Sequence, residues 1–149
     1  MHSAAKYLLI GFWPVVLATS CQHPRESTLL ASELDDGTRV RSLVHKKGTS
    51  ILVAFAPSHC FTCDKSLTEF LTERPPAGIH VLLLATNRPS SGERLMLKMR
   101  RIAISGVLRS APPETLLVEV FRSGSRVASI RNPSSTKVRG ILTEQISTE

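Results

Sequence analysis

The middle of the chain alternates between short segments that are continuously apolar and segments in which apolar residues recur every three or four positions. Residues 51–56 and 79–85 are apolar almost throughout. Short apolar runs of this kind indicate strands that are buried on both faces of a sheet. Between them, residues 64–71 have the amphipathic spacing of a helix. A strand, a helix and a second strand in this order predict a right-handed crossover between two parallel strands.

A second helix is predicted over residues 92–104, after a polar loop that contains Pro89. Ser90 or Ser91 can cap its first turn, because both residue types accept hydrogen bonds from the free N–H groups of a helix start. Its apolar stripe is expected to consist of Leu95, Met99 and Ile102.

The C-terminal third predicts a loop over residues 106–111, a hairpin and a last helix. Residues 114–121 are rich in strand formers, Ser123-Gly124 is a turn pair, and residues 126–130 form the return strand. We interpret Glu119 as a charge at a strand edge. Residues 136–146 then have helical spacing, so the predicted order is β-α-β-α-β-β-α.

The segment before the first buried strand carries weaker signals. The Asp36-Gly37 step within residues 33–38 indicates a hairpin turn. Val40, Ser42 and Val44 follow at alternating positions, as one face of a strand would place them.

The N-terminal residues 1–20 do not have the pattern of a folded domain. Lys6 precedes an apolar run over residues 7–18, which has the length of the hydrophobic region of a secretory signal. The run ends in Leu-Ala-Thr-Ser-Cys, which resembles the lipobox of bacterial lipoproteins. That resemblance implies that Cys21 is lipidated; a signal cleaved without lipidation and an uncleaved anchor are the alternatives. Residues 21–28 are then a tether and residues 29–149 a single domain.

Composition and charge exclude two classes of protein. A hydrophobic fraction of 42% argues against a disordered chain. The formal charge of +7 predicts attraction to polyanions. However, the basic residues are dispersed and only 5% of the residues are aromatic, so a nucleic-acid partner is not expected.

The sharpest chemical signal is the Cys-x-x-Cys motif formed by Cys60 and Cys63, between the first buried strand and the first predicted helix. A helix N-terminus lowers the pKa of a thiol and so favours the nucleophilic thiolate. Positions three apart share a helix face, so the pair can form a disulfide within one turn. Cys60, nearer the helix start, would attack a disulfide and Cys63 would resolve the product. His59 could stabilise the Cys60 thiolate.

At these residues the sequence resembles the thioredoxin superfamily, and in particular the TlpA-like, membrane-anchored thiol–disulfide oxidoreductases. The matching pieces are the strand over residues 51–55, the segment from Ala56 to Cys63, and the run Pro-Glu-Thr-Leu-Leu-Val that begins at Pro113. The resemblance implies an α/β, thioredoxin-like domain with a central mixed sheet flanked by helices. It also implies a cis-proline beside the dithiol that helps to bind substrate; Pro113 is the better match and Pro112 the alternative.

Four residues depart from the family pattern. His59 stands where the family usually has Trp, Phe61-Thr62 separates the cysteines, and Ala54 occupies the place of the buried acid of thioredoxin. These departures leave other roles for the cysteines open: a structural disulfide, an inactive site, or a metal site. Zinc would require more ligands, such as His59 with His45 or His80, whereas Cu(I) suits two thiolates and a histidine.

The resemblance implies an enzyme that reduces, or alternatively oxidises, disulfides of extracytoplasmic proteins on the periplasmic side of a membrane. It implies no organic cofactor and no metal, a lipid anchor at Cys21, and a membrane partner that donates electrons. A copper-delivery module with a thioredoxin fold and a redox-inactive binding protein are the alternatives.

Overall fold

The computed structural model describes residues 29–58, 72, 74–75, 77–132, 140 and 143–144. Within these residues lies a five-stranded mixed sheet with the strand order β3-β2-β1-β4-β5. The strands are β1 (Thr49–Phe55), β2 (Ile79–Ala85), β3 (Gly106–Val107), β4 (Leu116–Arg122) and β5 (Ser125–Arg131). Two described helices accompany the sheet, α1 (Val40–Leu43) and α2 (Ser91–Met99).

Strand β1 is the centre of the fold. It pairs in parallel with β2 and antiparallel with β4, and all seven of its residues are buried. The two predicted strands and their parallel pairing are therefore confirmed, although β2 is buried only at Ile79 and over residues 83–85. Because successive side chains of a strand point to opposite faces, β1 contributes to two cores.

The two cores lie on opposite faces of the sheet. The first, here called the α2-side cluster, includes Ile51, Val53, Phe55, Leu83, Leu97, Ile102, Val118 and Val120. The second, the N-terminal-side cluster, includes Leu29, Leu34, Val40, Leu52, Ala54, Leu84, Leu117 and Phe121. Each face of β1 is thus covered by a different part of the chain.

Helix α2 begins where the sequence predicts but ends earlier. Ser90 and Glu93 form a reciprocal capping box, in which the Glu93 N–H donates to Ser90 Oγ and the Ser90 N–H donates to Glu93 Oε2. The predicted continuation to residue 104 is wrong. Arg101 has a left-handed φ of 58°, and the Ile102 N–H donates to the Leu97 carbonyl, which closes the helix and turns Ile102 into the core.

The predicted apolar stripe of α2 is wrong for Leu95 and Met99, whereas Ile102, its third residue, is buried but lies beyond the end of the helix. Leu97 is the helical residue that packs in the α2-side cluster, whereas Leu95 and Met99 are 59% and 70% exposed. Leu97 lies two positions from each of them, so that burying Leu97 turns Leu95 and Met99 toward solvent.

In the segment before β1, the predicted turn is confirmed and the predicted strand is wrong. The turn at Gly37, which has a φ of 87°, joins Leu34 and Thr38 through a hydrogen bond from the Leu34 N–H. The expected strand through Val40 is instead α1. The Val40 N–H donates to the Ser32 carbonyl and the Ser42 hydroxyl donates to the Arg39 carbonyl, which favours one helical turn over a strand ladder.

Two further predictions are corrected at the sheet. Residues 106–107 of the expected loop form β3, which pairs in parallel with β2. Glu119 is not a strand-edge charge, because β4 lies between β1 and β5 and the Glu119 side chain is 1% exposed. It lies 3.4 Å from the guanidinium of Arg126. The antiparallel pairing of β4 and β5 around Ser123-Gly124 is confirmed.

Several predictions fall outside the described residues. They are the signal segment 1–20, Cys21, the tether, the crossover helix over residues 64–71 and most of the last helix. Gly140, Thr143 and Glu144, which the structure describes within that last helix, are helical. No helix among the residues that the structure describes is both long enough and apolar enough to cross a membrane.

Candidate functional site

The candidate site lies at the C-terminal end of β1. There the Thr86 N–H donates to the Phe55 carbonyl from the β2 side, and the Ala56 N–H donates to the Thr115 carbonyl from the β4 side, at 2.9 and 3.1 Å. Pro57 and Ser58 follow with helical backbone; Pro57 is buried and Ser58 is exposed. The C-terminal end of β1, here called the exit of β1, is therefore held by hydrogen bonds on both sides. It lies next to the residues that precede β4.

Four of the sequence-predicted site residues lie outside the described residues: Cys21, His59, Cys60 and Cys63. Cys60 follows Ala56 by four residues along the chain. Pro113 is described, and with Glu114 and Thr115 it forms what is here called the Pro113 segment. The bond between Ala56 and Thr115 puts this segment beside the strand end from which the cysteine motif continues.

The structure contradicts the expected cis-proline. None of the peptide bonds of the described residues is cis, and the bonds before Pro112 and Pro113 are among them. Trans is the favoured isomer of an X-Pro bond by about 0.5–1 kcal/mol, so the observed state is the ordinary one. Pro113 keeps its position at the site without the isomer that the family resemblance implies.

Asn132 fixes the Pro113 segment and was not identified from the sequence. Its side-chain Oδ1 accepts hydrogen bonds from the Thr115 N–H, the Thr115 hydroxyl and the Leu116 N–H at 3.0, 3.0 and 3.2 Å. Its own N–H donates to the Leu116 carbonyl at 2.7 Å. The residue has a φ of 43°, a left-handed conformation that Asn adopts more readily than most residues.

Glu114 is a second residue that sequence reasoning missed. Its carboxylate lies 3.1 Å from the guanidinium of Arg131, and its side chain is only 10% exposed, while that of Arg131 is largely exposed. The ion pair joins the Pro113 segment to the end of β5. Asn132 and Arg131 are neighbours in the chain. Together they hold the Pro113 segment, Asn132 through backbone N–H groups and Arg131 through the Glu114 side chain.

A cavity of about 390 Å³ adjoins the Pro113 segment. Residues 31–33 line one side of it and residues 109–113 the other. The guanidinium of Arg109 and the carboxylate of Glu33, two of the lining residues, form an ion pair at 3.1 Å. Pro112 and Pro113 are among its lining residues.

The two described histidines that were considered as metal ligands lie elsewhere. The rings of His45 and His80 stack with centroids 3.6 Å apart. His80 pairs with Ser50, at the opposite end of β1 from Ala56, and six residues of strand span about 20 Å. In the described part of the chain no group of three or more His, Cys, Asp or Glu side chains could hold a metal ion.

The fold has counterparts among solved structures. No protein-family model and no curated protein matches the sequence. A secreted disulfide oxidoreductase of Mycobacterium tuberculosis, homologous to E. coli DsbE, has a TM-score of 0.50 and 17% identity over 76% of this chain and 93% of its own. The exposed lipoprotein thioredoxin Etrx1 of Streptococcus pneumoniae has a TM-score of 0.45 and 15% identity over 76% and 96%. The first likeness confirms the predicted thioredoxin-like α/β fold.

Proposed function

We propose that this chain is a thiol–disulfide oxidoreductase that acts outside the cytoplasm through a dithiol of Cys60 and Cys63. The observation that supports the proposal is the hydrogen-bonded end of β1, from which the sequence continues into the Cys-x-x-Cys motif. The motif begins four residues after Ala56, at the end of the buried central strand, and Ala56 is bonded to the Pro113 segment. The thioredoxin-like fold supports the same assignment.

In the proposed reaction the Cys60 thiolate attacks one sulfur of a substrate disulfide. The substrate S–S bond breaks, a disulfide forms between Cys60 and the substrate, and the other substrate sulfur leaves as a thiolate and takes up a proton. The Cys63 thiolate then attacks the Cys60 sulfur and releases the second substrate thiol. The substrate gains two electrons and the domain ends with a Cys60–Cys63 disulfide, which a membrane-bound dithiol donor reduces again.

The described residues beside the end of β1 support this proposal. A substrate peptide would lie along the Pro113 segment, which Asn132 and Arg131 hold in place, with a side chain in the adjoining cavity. His59, next to the nucleophile in sequence, would face the substrate and stabilise the Cys60 thiolate. The substrates would be exported proteins that contain disulfides, and a lipid on Cys21 would keep the domain at the membrane.

The proposal is tested by trapping with the Cys63→Ser variant in cells. Without the resolving thiol, mixed disulfides accumulate on Cys60, and we expect adducts that disappear on treatment with a reductant. The Cys60→Ser/Cys63→Ser double variant is the matched control, because it has the same fold but no nucleophile. Adducts that form equally with the double variant, or no adducts at all, would contradict the proposal.

A metal titration separates this function from copper delivery. We expect the reduced chain to reduce insulin disulfides, and Cys60→Ser to abolish that activity. Stoichiometric Cu(I) uptake that Cys60→Ser abolishes, in a native chain without reductase activity, would instead assign the two thiolates to metal binding.

A further inference from the structure

The outward face of α2 carries exposed apolar side chains and exposed cations. Leu95 and Met99, one turn apart, are 59% and 70% exposed. Val127 is the one other large apolar residue of the described chain with a comparable exposure. The apolar exposure of the described domain is therefore concentrated on one helix.

Cations border this apolar pair. Arg94 and Lys98 are one turn apart on the same outward face, and Arg101 follows the helix end; all three are exposed. The one acidic residue of α2, Glu93, accepts a hydrogen bond from the Ser90 N–H in the capping box, at the start of the helix. The face thus has a positive half, with Arg94 and Lys98, and an apolar half, with Leu95 and Met99.

A cleft lies beside the cations. It has a volume of about 450 Å³ and runs between α2 and the segment that follows it. Leu97, Ile102 and Ile104 supply apolar lining, and Arg94, Lys98 and Arg101 also line it. A cleft that is lined by both apolar side chains and cations suits an amphiphile that has an anionic headgroup and a hydrocarbon chain.

We propose that the outward face of α2 docks the domain on a membrane surface that contains anionic phospholipid. Basic residues near such a surface are attracted to its headgroups, and exposed Leu and Met side chains gain by entering the acyl boundary. A nucleic acid fits the face less well, because residues 91–104 contain no aromatic side chain on which a base could stack. Docking would turn the α2-side face of the sheet toward the membrane.

The test uses the full chain with Cys21→Ser, so that no acyl group at that residue contributes to binding. Partition is measured by co-sedimentation with vesicles of phosphatidylcholine alone and with vesicles that also contain phosphatidylglycerol. We expect a higher partition coefficient for the anionic vesicles than for the neutral ones, and we expect Arg94→Glu/Lys98→Glu to lower the partition coefficient for the anionic vesicles by about tenfold or more. Any contribution of residues 1–20 is common to all variants and cancels.

The matched control is Lys46→Glu/Lys47→Glu, which changes the net charge by the same amount at two exposed lysines outside α2. It should bind nearly as well as the parent. A third variant, Leu95→Ser/Met99→Ser, leaves the charge unchanged and should also weaken binding. Equal losses in the two charge variants would show that only the overall charge matters, and full binding by the serine variant would show that no side chain inserts; either result overturns the proposal.

Discussion

At the scale of single residues, Asn132 shows how much of the candidate site depends on one oxygen atom. Asn132→Gly keeps the left-handed backbone but removes the acceptor for two backbone N–H groups and one hydroxyl. We expect it to lower the free energy of unfolding by about 1–3 kcal/mol, because those N–H groups lose their partner. Urea denaturation measures the change.

Asn132→Asp is the control, since its carboxylate accepts the same bonds and Asp tolerates the left-handed region. It should remain close to the native stability and keep the proposed reductase activity, whereas Asn132→Gly should raise KM for a disulfide substrate. Equal stability of the Gly and Asp variants would show that the three bonds do not hold the segment.

Gly48 and Gly124 form a second matched pair. Both have left-handed φ values, of 79° and 81°, but a Cβ on Gly48 would lie 2.9 Å from the Gly78 carbonyl oxygen, whereas open space surrounds Gly124. Alanine at Gly124 should cost about 1–2 kcal/mol from backbone strain alone. Alanine at Gly48 should cost more, because the clash displaces the carbonyl that accepts the Thr49 N–H. Thermal unfolding should rank them in this order; the reverse order would contradict the steric argument.

The sequence predicted Pro113 at the site but not Asn132, and the reason is physical. Pro113 belongs to a contiguous run with a recognisable order of residue types. Asn132 acts on Thr115, which is 17 positions away, through a bond between a side chain and the backbone. Such a contact depends on the β4–β5 register and leaves no local pattern in the sequence.

At the scale of elements, the strands were predicted better than α2. A short, continuous apolar run rich in strand formers predicts a strand, and β2 was predicted with its observed bounds. Helix α2 offered two apolar faces, one with Leu95 and Met99 and the other with Leu97. Leu97 is the residue that packs against the sheet. The helical period alone does not show which of the two apolar faces is buried.

The pairing of β4 and β5 includes a buried charge whose cost can be measured. Arg126→Met removes the guanidinium that lies 3.4 Å from the nearly fully buried Glu119 carboxylate. We expect it to lower the free energy of unfolding by about 2–3 kcal/mol, because a buried carboxylate loses a compensating charge. Glu119 pairs with Leu52 across the strands, so an apolar side chain at position 119 would have an apolar neighbour.

A double-mutant cycle completes this test. Glu119→Leu/Arg126→Met should be more stable than the sum of the two single effects predicts, since it removes the charge together with the need for its partner. Urea denaturation of the four proteins gives the coupling energy. Strict additivity would mean that Glu119 and Arg126 do not interact.

At the scale of the whole molecule, the order of β1, β2, α2, β4 and β5 was predicted from the sequence, whereas β3, α1 and the position of β4 beside β1 were not. Local patterns specify which segments are strands and which adjacent strands pair. They do not specify that β4 returns across the sheet to pair with β1 over seven residues. That non-local pairing places the Pro113 segment beside the exit of β1, and it is what makes the candidate site.

The central position of β1 leads to a last prediction, that the two cores unfold as one unit. Ile51 and Leu52 are consecutive, both nearly fully buried, and belong to the α2-side and the N-terminal-side cluster respectively. Alanine at either should cost about 2–5 kcal/mol, whereas alanine at the exposed Leu95 should cost less than about 0.5 kcal/mol.

Hydrogen exchange tests the coupling of the cores directly. The Val40 N–H is bonded to Ser32 on the N-terminal side, and the Ile102 N–H is bonded to Leu97 on the α2 side. If β1 links the cores, Ile51→Ala and Leu52→Ala should each reduce the protection of both amides, because both then exchange through the same global opening. If each variant reduced the protection of only the amide on its own face, the two cores would unfold independently. The prediction that they form one unit would then be wrong.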